Sequence, residues 1–166
     1  CVNDGSTDDS LTILKEYAEK DSRIVVIDQP NGGYGKAMNA GIDKASGEYL
    51  GIVEPDDFVP LTMYEDLYQV AAEKNLDIVK ADFFMFYTDK KYETEIYKKI
   101  HLSDDPKAYG DVFCPMARTS SFFYTMNTWS GIYKLSFLRE HHIRHQEDQP
   151  VFDGPPHQGL EAVRLQ

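Results

Sequence analysis

The sequence has few cysteines, no long apolar run and a shortage of positive charge, and each of these features excludes a class of protein. Cys1 and Cys114 are the only cysteines among 166 residues, too few for a disulfide scaffold. No stretch reaches the roughly 18 apolar residues of a transmembrane helix. Lys and Arg number 17 against 28 Asp and Glu, so the formal net charge is −11. Such a surface repels phosphates, which argues against general nucleic-acid binding.

Hydrophobic and aromatic residues are plentiful, and their order predicts an α/β domain. They make up 42% and 13% of the chain, enough for a packed core and too much for a disordered protein. Helical patterns that open at Ser6 and run through Ala18, and that cover residues 34–44 and 60–74, alternate with short apolar strands at 1–3, 24–27, 49–53 and 78–79. Ser6 and Asp9 approximate a capping box for the first helix. The alternation predicts a mostly parallel sheet flanked by helices.

Beyond residue 80 the pattern changes. The aromatic stretch 83–97 indicates a hairpin or irregular strands around residues 89–91, and residues 103–120 are polar. Residues 129–140 read as a helical segment. From His141 onward there is little periodicity.

Three segments carry candidate chemistry. Val2-Asn3-Asp4-Gly5-Ser6 places an acid after a strand, at the edge where α/β proteins bind ligands, although Asp-Gly is equally typical of a turn. Glu54-Pro55-Asp56-Asp57 places three carboxylates after an apolar strand, which suits Mg²⁺ or Mn²⁺, although a solvated loop would look the same. The glycine-rich loop from Asn31 to Lys36 precedes a helix but fits neither the Gly-x-Gly-x-x-Gly nor the Walker A pattern.

These motifs, taken in order with Ala37-x-Asn39-Ala40-Gly41 and Ala45-Ser46-Gly47-Glu48-Tyr49, resemble the GT-A fold glycosyltransferases, family 2 in particular. A weaker likeness continues through Trp129-Ser130-Gly131-Ile132-Tyr133-Lys134. The resemblance implies a Rossmann-like GT-A nucleotide-diphospho-sugar transferase fold over residues 1–148. It also implies a first strand and helix ahead of Cys1, so we expect the domain to be incomplete at its N-terminus. Residues 149–166 form a divergent tail without a pattern.

The resemblance also implies roles for individual residues. Asp4, with Asn3 beside it, would contact the base of a nucleotide-sugar donor, usually uracil, and Asp56 the ribose or a metal ion. Asp57 would bind Mn²⁺ or Mg²⁺. Glu54 replaces the usual first Asp of that motif. Lys36 would supply charge near the place where the family often has an arginine and this chain has Met38.

The reaction implied is sugar transfer with inversion to a carbohydrate or lipid-linked acceptor. Its base would come from the Glu147-Asp148 pair, with Asp148 nominated, although a solvated loop acid is an equal alternative. Trp129 could stack on an acceptor sugar or belong to the core. His141 and His145 have metal-ligand spacing but lack an evident third ligand. The location implied is cytoplasmic, with peripheral association at the cytoplasmic face of a membrane left open.

Two alternatives remain. The chain could be a catalytically inactive nucleotide-binding or interaction module derived from this fold. A nicotinamide-dependent oxidoreductase is disfavoured, because Met38 stands where the third glycine of the dinucleotide motif belongs.

Overall fold

The computed structural model describes residues 1–89, 94–100 and 127–147, and it gives side chains for residues 1–84 and 127–147. The described chain divides into two compact units. The first comprises Cys1–Glu48 and the segment that begins at Leu135, and the second lies within Tyr49–Lys134.

The first unit contains a parallel strand pair, two longer helices and one short helix. The elements are β1 (Val2–Asp4), α1 (Ser10–Lys20), β2 (Ile27–Gln29), α2 (Tyr34–Lys44) and α4 (Leu135–Glu140). β1 pairs in parallel with β2, with Asn3 opposite Asp28 and Asp4 opposite Gln29. Both strands therefore end at the same edge, and the segments that follow them meet there.

Helix α1 begins later than the sequence predicted. Its N-cap is Asp9, whose side chain makes no capping hydrogen bond, so the capping box of Ser6 and Asp9 was a wrong prediction. The carboxylate of Asp8 instead accepts the backbone N–H of Ser10 at 3.0 Å. The apolar stripe Leu11, Leu14 and Ala18 is the half-buried face of the helix, as its spacing predicts.

The second unit is built on a three-stranded sheet covered by one helix. Its elements are β3 (Tyr49–Gly51), α3 (Met63–Lys74), β4 (Ile78–Lys80), the hairpin strands β5 (Phe83–Asp89) and β6 (Thr94–Ile100), and β7 (Gly131–Lys134). Leu67 and Ala71, one turn apart on α3, pack against Ile132 of β7. The helix ends at Asn75, which adopts the left-handed conformation with φ 48°.

The last strand corrects part of the sequence prediction. Residues 129–140 were expected to be helical, but β7 precedes α4, and only residues from Leu135 onward are helical. β7 lies antiparallel between β3 and β4, which therefore run in the same direction. The prediction of a mostly parallel sheet thus holds for β1 and β2 but misses this inserted antiparallel strand. The predicted hairpin is confirmed, since β5 and β6 pair antiparallel with Asp89 opposite Thr94.

None of the helices in the described ranges is long and apolar enough to cross a membrane.

Candidate functional site

The carboxylate of Asp4 lies at the end of β1 and organises the loop that follows β2. Its Oδ1 accepts hydrogen bonds from Gln29 Nε2 at 2.7 Å and from the Gly32 N–H at 3.0 Å. Its Oδ2 accepts from the N–H groups of Gly32 at 3.1 Å and Gly33 at 2.9 Å. One acid therefore fixes the loop immediately before α2.

The turn after Asp4 is as closely fitted as the loop. Gly5 has φ 73°, and a Cβ at this position would lie 2.7 Å from the backbone nitrogen of Asn31. Both observations require glycine here. The Asp4-Gly5 turn is thus a packed contact between the ends of two strands, which agrees with the turn interpretation of this dipeptide.

The hydrogen bonds to Asp4 lower its pKa. Partial burial by itself would raise the pKa of this carboxyl, but the bonds from Gln29, Gly32 and Gly33 and the charge of Lys36 together lower it below 3.8. The stem of Lys36 covers Gly32, where an added Cβ would lie 2.3 Å from Lys36 Cδ. The structure therefore brings together Asp4 and Lys36, two residues that the sequence predicted to contact a donor.

Asn3, also predicted to contact a donor, is only 4% exposed and is bonded within the protein. Its Nδ2 donates to Asp28 Oδ1 at 2.8 Å, and its Oδ1 accepts the Ser6 N–H at 3.4 Å. Its visible role is to tie β1 to β2 and to the turn, and a donor contact stays a prediction.

The acidic segment after β3 belongs to the second unit. The Asp57 N–H donates to the Glu54 carbonyl at 3.1 Å, which closes a turn that places Asp56 and Asp57 side by side near the surface. Burial, and after it the neighbouring charge of Asp56, raise the pKa of Asp57. A bound cation would relieve this repulsion. Among the described residues, no three His, Cys, Asp or Glu side chains are grouped as metal ligands, so a metal here would need oxygens from elsewhere.

Trp129 is half-buried against the start of the hairpin. Its ring meets Phe83 edge to face, with 4.6 Å between the ring centroids. This contact fits the core interpretation, and stacking on an acceptor stays a prediction. Nearby, Lys80 donates to the carbonyl and side-chain oxygens of Asn127, and burial lowers the pKa of Lys80 to about 8.

Glu147, one member of the predicted acidic pair, is held by helix α2. Its Oε1 accepts a hydrogen bond from Asn39 Nδ2 at 2.8 Å. Asp148 lies outside the described residues. The histidines with metal-ligand spacing contact aromatic rings instead: His145 lies edge to face with Tyr34, and His141 lies against Phe137.

Gln29 was missed from the sequence, because only the register of β1 against β2 identifies it. Asn39 stood in the motif that resembles the family, but no role was predicted for it, since its partners lie more than 100 residues further along the chain.

Comparison with known proteins assigns this chain to a family. The model of glycosyl transferase family 2 matches residues 1–140, and the chain belongs to that family. Its fold is the GT-A fold. It resembles TarS of S. aureus, residues 1–349, solved in complex with UDP, with a TM-score of 0.56 and 21% identity over 88% of this chain and 40% of that one.

Curated relatives match over most of this chain. The glycosyltransferase GlyA of Streptococcus pneumoniae is 34% identical over 84% of this chain and 20% of its own length. The uncharacterized glycosyltransferase YibD of Escherichia coli is 32% identical over 86% of this chain and 41% of its own length. The chain thus spans less than half the length of these relatives.

Proposed function

We propose that this chain carries the donor-binding part of a glycosyltransferase that uses a nucleotide sugar, with UDP as the nucleotide. The observation that carries the proposal is the ionised carboxylate of Asp4, held at the end of β1 beside Lys36 in a chain of family 2. The neighbour TarS was solved with UDP, and GlyA is named a glycosyltransferase, which supports the same reading.

In this proposal Asp4 accepts a hydrogen bond from the base, and the ammonium group of Lys36 offers charge to the diphosphate. Both oxygens of the Asp4 carboxylate accept hydrogen bonds within the protein, from Gln29, Gly32 and Gly33, so the loop is already ordered before a ligand arrives. A preordered loop reduces the entropy that binding would otherwise cost. Asn3 would act behind Asp4 by fixing the end of the strand.

Asp56 and Asp57 suit a divalent cation chemically. They are hard oxygen donors, and burial together with the charge of Asp56 raises the pKa of Asp57, so a cation would stabilise both ionised groups. Mn²⁺ or Mg²⁺ held there, with phosphate oxygens completing its ligands, would neutralise charge on the leaving diphosphate.

The transfer we propose proceeds with inversion. A carboxylate of the Glu147-Asp148 pair takes the proton of the acceptor hydroxyl, and that oxygen attacks the anomeric carbon as the bond to the diphosphate breaks. The acceptor, a carbohydrate or a lipid-linked sugar, and work at the cytoplasmic face of a membrane remain part of the proposal, as does acceptor stacking on Trp129.

The proposal is tested by incubating the purified chain with UDP-glucose, UDP-galactose and UDP-N-acetylglucosamine in Mn²⁺, with a carbohydrate acceptor present or with water as the acceptor in its absence, and measuring UDP release, with Asp57→Asn as the variant. We expect release with at least one donor and loss of the Mn²⁺ effect in D57N. Without metal, D57N should unfold at a slightly higher temperature than the wild type, since a like-charge repulsion is removed. UDP binding without release from any donor would favour the inactive module.

A further inference from the structure

Asn39 is a buried polar residue in the middle of α2, and one distant segment satisfies its whole side-chain amide. It is 6% exposed. Its Oδ1 accepts the His145 N–H at 2.9 Å, and its Nδ2 donates to the His145 carbonyl at 2.9 Å and to Glu147 Oε1 at 2.8 Å. Asparagine is a poor helix former, and burying its amide is unfavourable unless every group is bonded. These bonds therefore account for its presence.

Gly35, one turn earlier on the same face, lets the segment approach the helix backbone. A Cβ at Gly35 would lie 2.0 Å from the Gln146 carbonyl oxygen and 3.2 Å from Glu147 Cα. The space is filled by main chain, which cannot move aside as a flexible side chain could. Gly35 and Asn39 thus form the surface of α2 against which residues 145–147 pack.

The same helix begins at the loop that Asp4 holds. Gly33 is the N-cap of α2, and its N–H donates to Asp4. The helix is 11 residues long and rigid, so the position of residues 145–147 is fixed relative to the Asp4 loop. An exposed ion pair between Asp43 and Arg144 also joins α2 to this segment, but exposed pairs contribute little.

We propose that Asn39 is a positioning residue, which holds residues 145–147 at a fixed place relative to the loop that Asp4 organises; Asp148, the nominated base, follows this segment directly in sequence. The inference rests on the proposed function and deepens it. The carboxylate of Glu147 acts as an anchor, through its bond to Asn39, and the proton is taken by Asp148. Glutamine at position 147 can accept the same hydrogen bond, whereas alanine cannot.

The test compares Asn39→Ala, Glu147→Ala and Glu147→Gln with Asp43→Asn, a control that breaks only the exposed pair. We expect N39A to increase hydrogen exchange at the His145 amide at least about tenfold while the Gly32 and Gly33 amides stay protected. Its kcat should fall by about 10- to 100-fold with the donor KM nearly unchanged, because misplaced groups lose rate rather than donor affinity. D43N should keep kcat within about threefold of the wild type, and E147Q should keep clearly more activity than E147A.

Unchanged exchange at His145 in N39A would overturn the proposal, and so would an E147Q variant as inactive as E147A, which would make Glu147 the base. If N39A does not fold, the pair E147A and E147Q decides, since residue 147 is exposed. If the wild type transfers no sugar, the proposed function fails, and the exchange measurement still decides whether Asn39 holds the segment.

Discussion

Replacing Asp4 by asparagine keeps the size of the side chain and changes only the hydrogen-bond acceptor at the centre of the loop that follows β2. The carboxylate receives hydrogen bonds from three donors, Gln29 Nε2 and the N–H groups of Gly32 and Gly33. Asparagine can keep both glycine N–H groups on its one oxygen, and its NH₂ can then donate to Gln29 if that amide turns over. All three contacts would survive without the negative charge.

The cost follows from the difference between charged and neutral hydrogen bonds. A bond to a charged group contributes about 1.5–3 kcal/mol and a neutral one about 0.5–1.5, so the exchange costs roughly 1 kcal/mol per bond. Because Asp4 is only half-buried, water offsets part of this sum. We expect D4N to lower the free energy of unfolding by about 1–2 kcal/mol, or Tm by about 2–8 °C for a chain of this length. Asp4→Ala removes the acceptor and should cost more than D4N.

The stability contributed by Asp4 should depend on pH in a definite direction. The pKa of Asp4 is below 3.8 in the folded protein, so its contribution is present above that value and is lost as pH falls through the folded pKa. The stability difference between wild type and D4N should therefore be constant from pH 5 to 7 and shrink on acidification. Urea unfolding at several pH values measures it. Asp9→Asn is the matched control, since the Asp9 side chain makes no capping bond. Equal stability of D4A, D4N and D9N would refute the reasoning.

Three further outcomes follow from the same structure. Burial and the charge of Asp56 raise the pKa of Asp57, so acidification should weaken Mn²⁺ binding at a higher pH than it would for an ordinary aspartate. Calorimetric titration at several pH values measures this, and a loss of Mn²⁺ affinity with its midpoint at or below pH 3.8 would contradict it. Lys80 has a pKa of about 8 in the fold against 10.5 unfolded, so wild-type stability should rise from pH 8 to 9.5 while Lys80→Met shows no such rise in urea unfolding. Replacing buried Leu67 by alanine should lower the free energy of unfolding by about 2–5 kcal/mol, and replacing exposed Val70 by alanine should lower it by less than about 1 kcal/mol. Thermal unfolding measures both, and equal losses would contradict the assignment of Leu67 to the core.

Local patterns predicted the elements that bury one apolar face. Both ends of α2 and the inward stripe of α1 follow from spacing, because a helix with a one-sided apolar face needs no distant partner to be recognised. The turn at Asp4-Gly5 was likewise predictable from residue type. These features are sufficient to predict the position of the loop that follows β2.

Features set by distant pairing were not predictable. The apolar run 24–27 suggested a strand, but the ladder lies at Ile27–Gln29, because the register with β1 decides which residues pair. The prediction of helix at β7 was wrong, because four residues are too few to show a strand's alternation of apolar and polar side chains and the strand is defined by its partners β3 and β4. Asn39 belongs to the family motif, but its bonds to His145 and Glu147 depend on a distant segment, so the motif alone did not predict them.

The central proposal is that this chain binds a uridine nucleotide with Asp4 as a contact, and that this binding depends on Mn²⁺ through Asp57. The most direct measurement is calorimetric titration of UDP into the purified chain, with and without Mn²⁺, repeated with ADP and with the Asp57→Asn variant. We expect UDP to bind more tightly in Mn²⁺, ADP to bind more weakly than UDP, and D57N to lose the Mn²⁺ effect. Absence of UDP binding in Mn²⁺, or equal binding of UDP and ADP, would contradict the proposal.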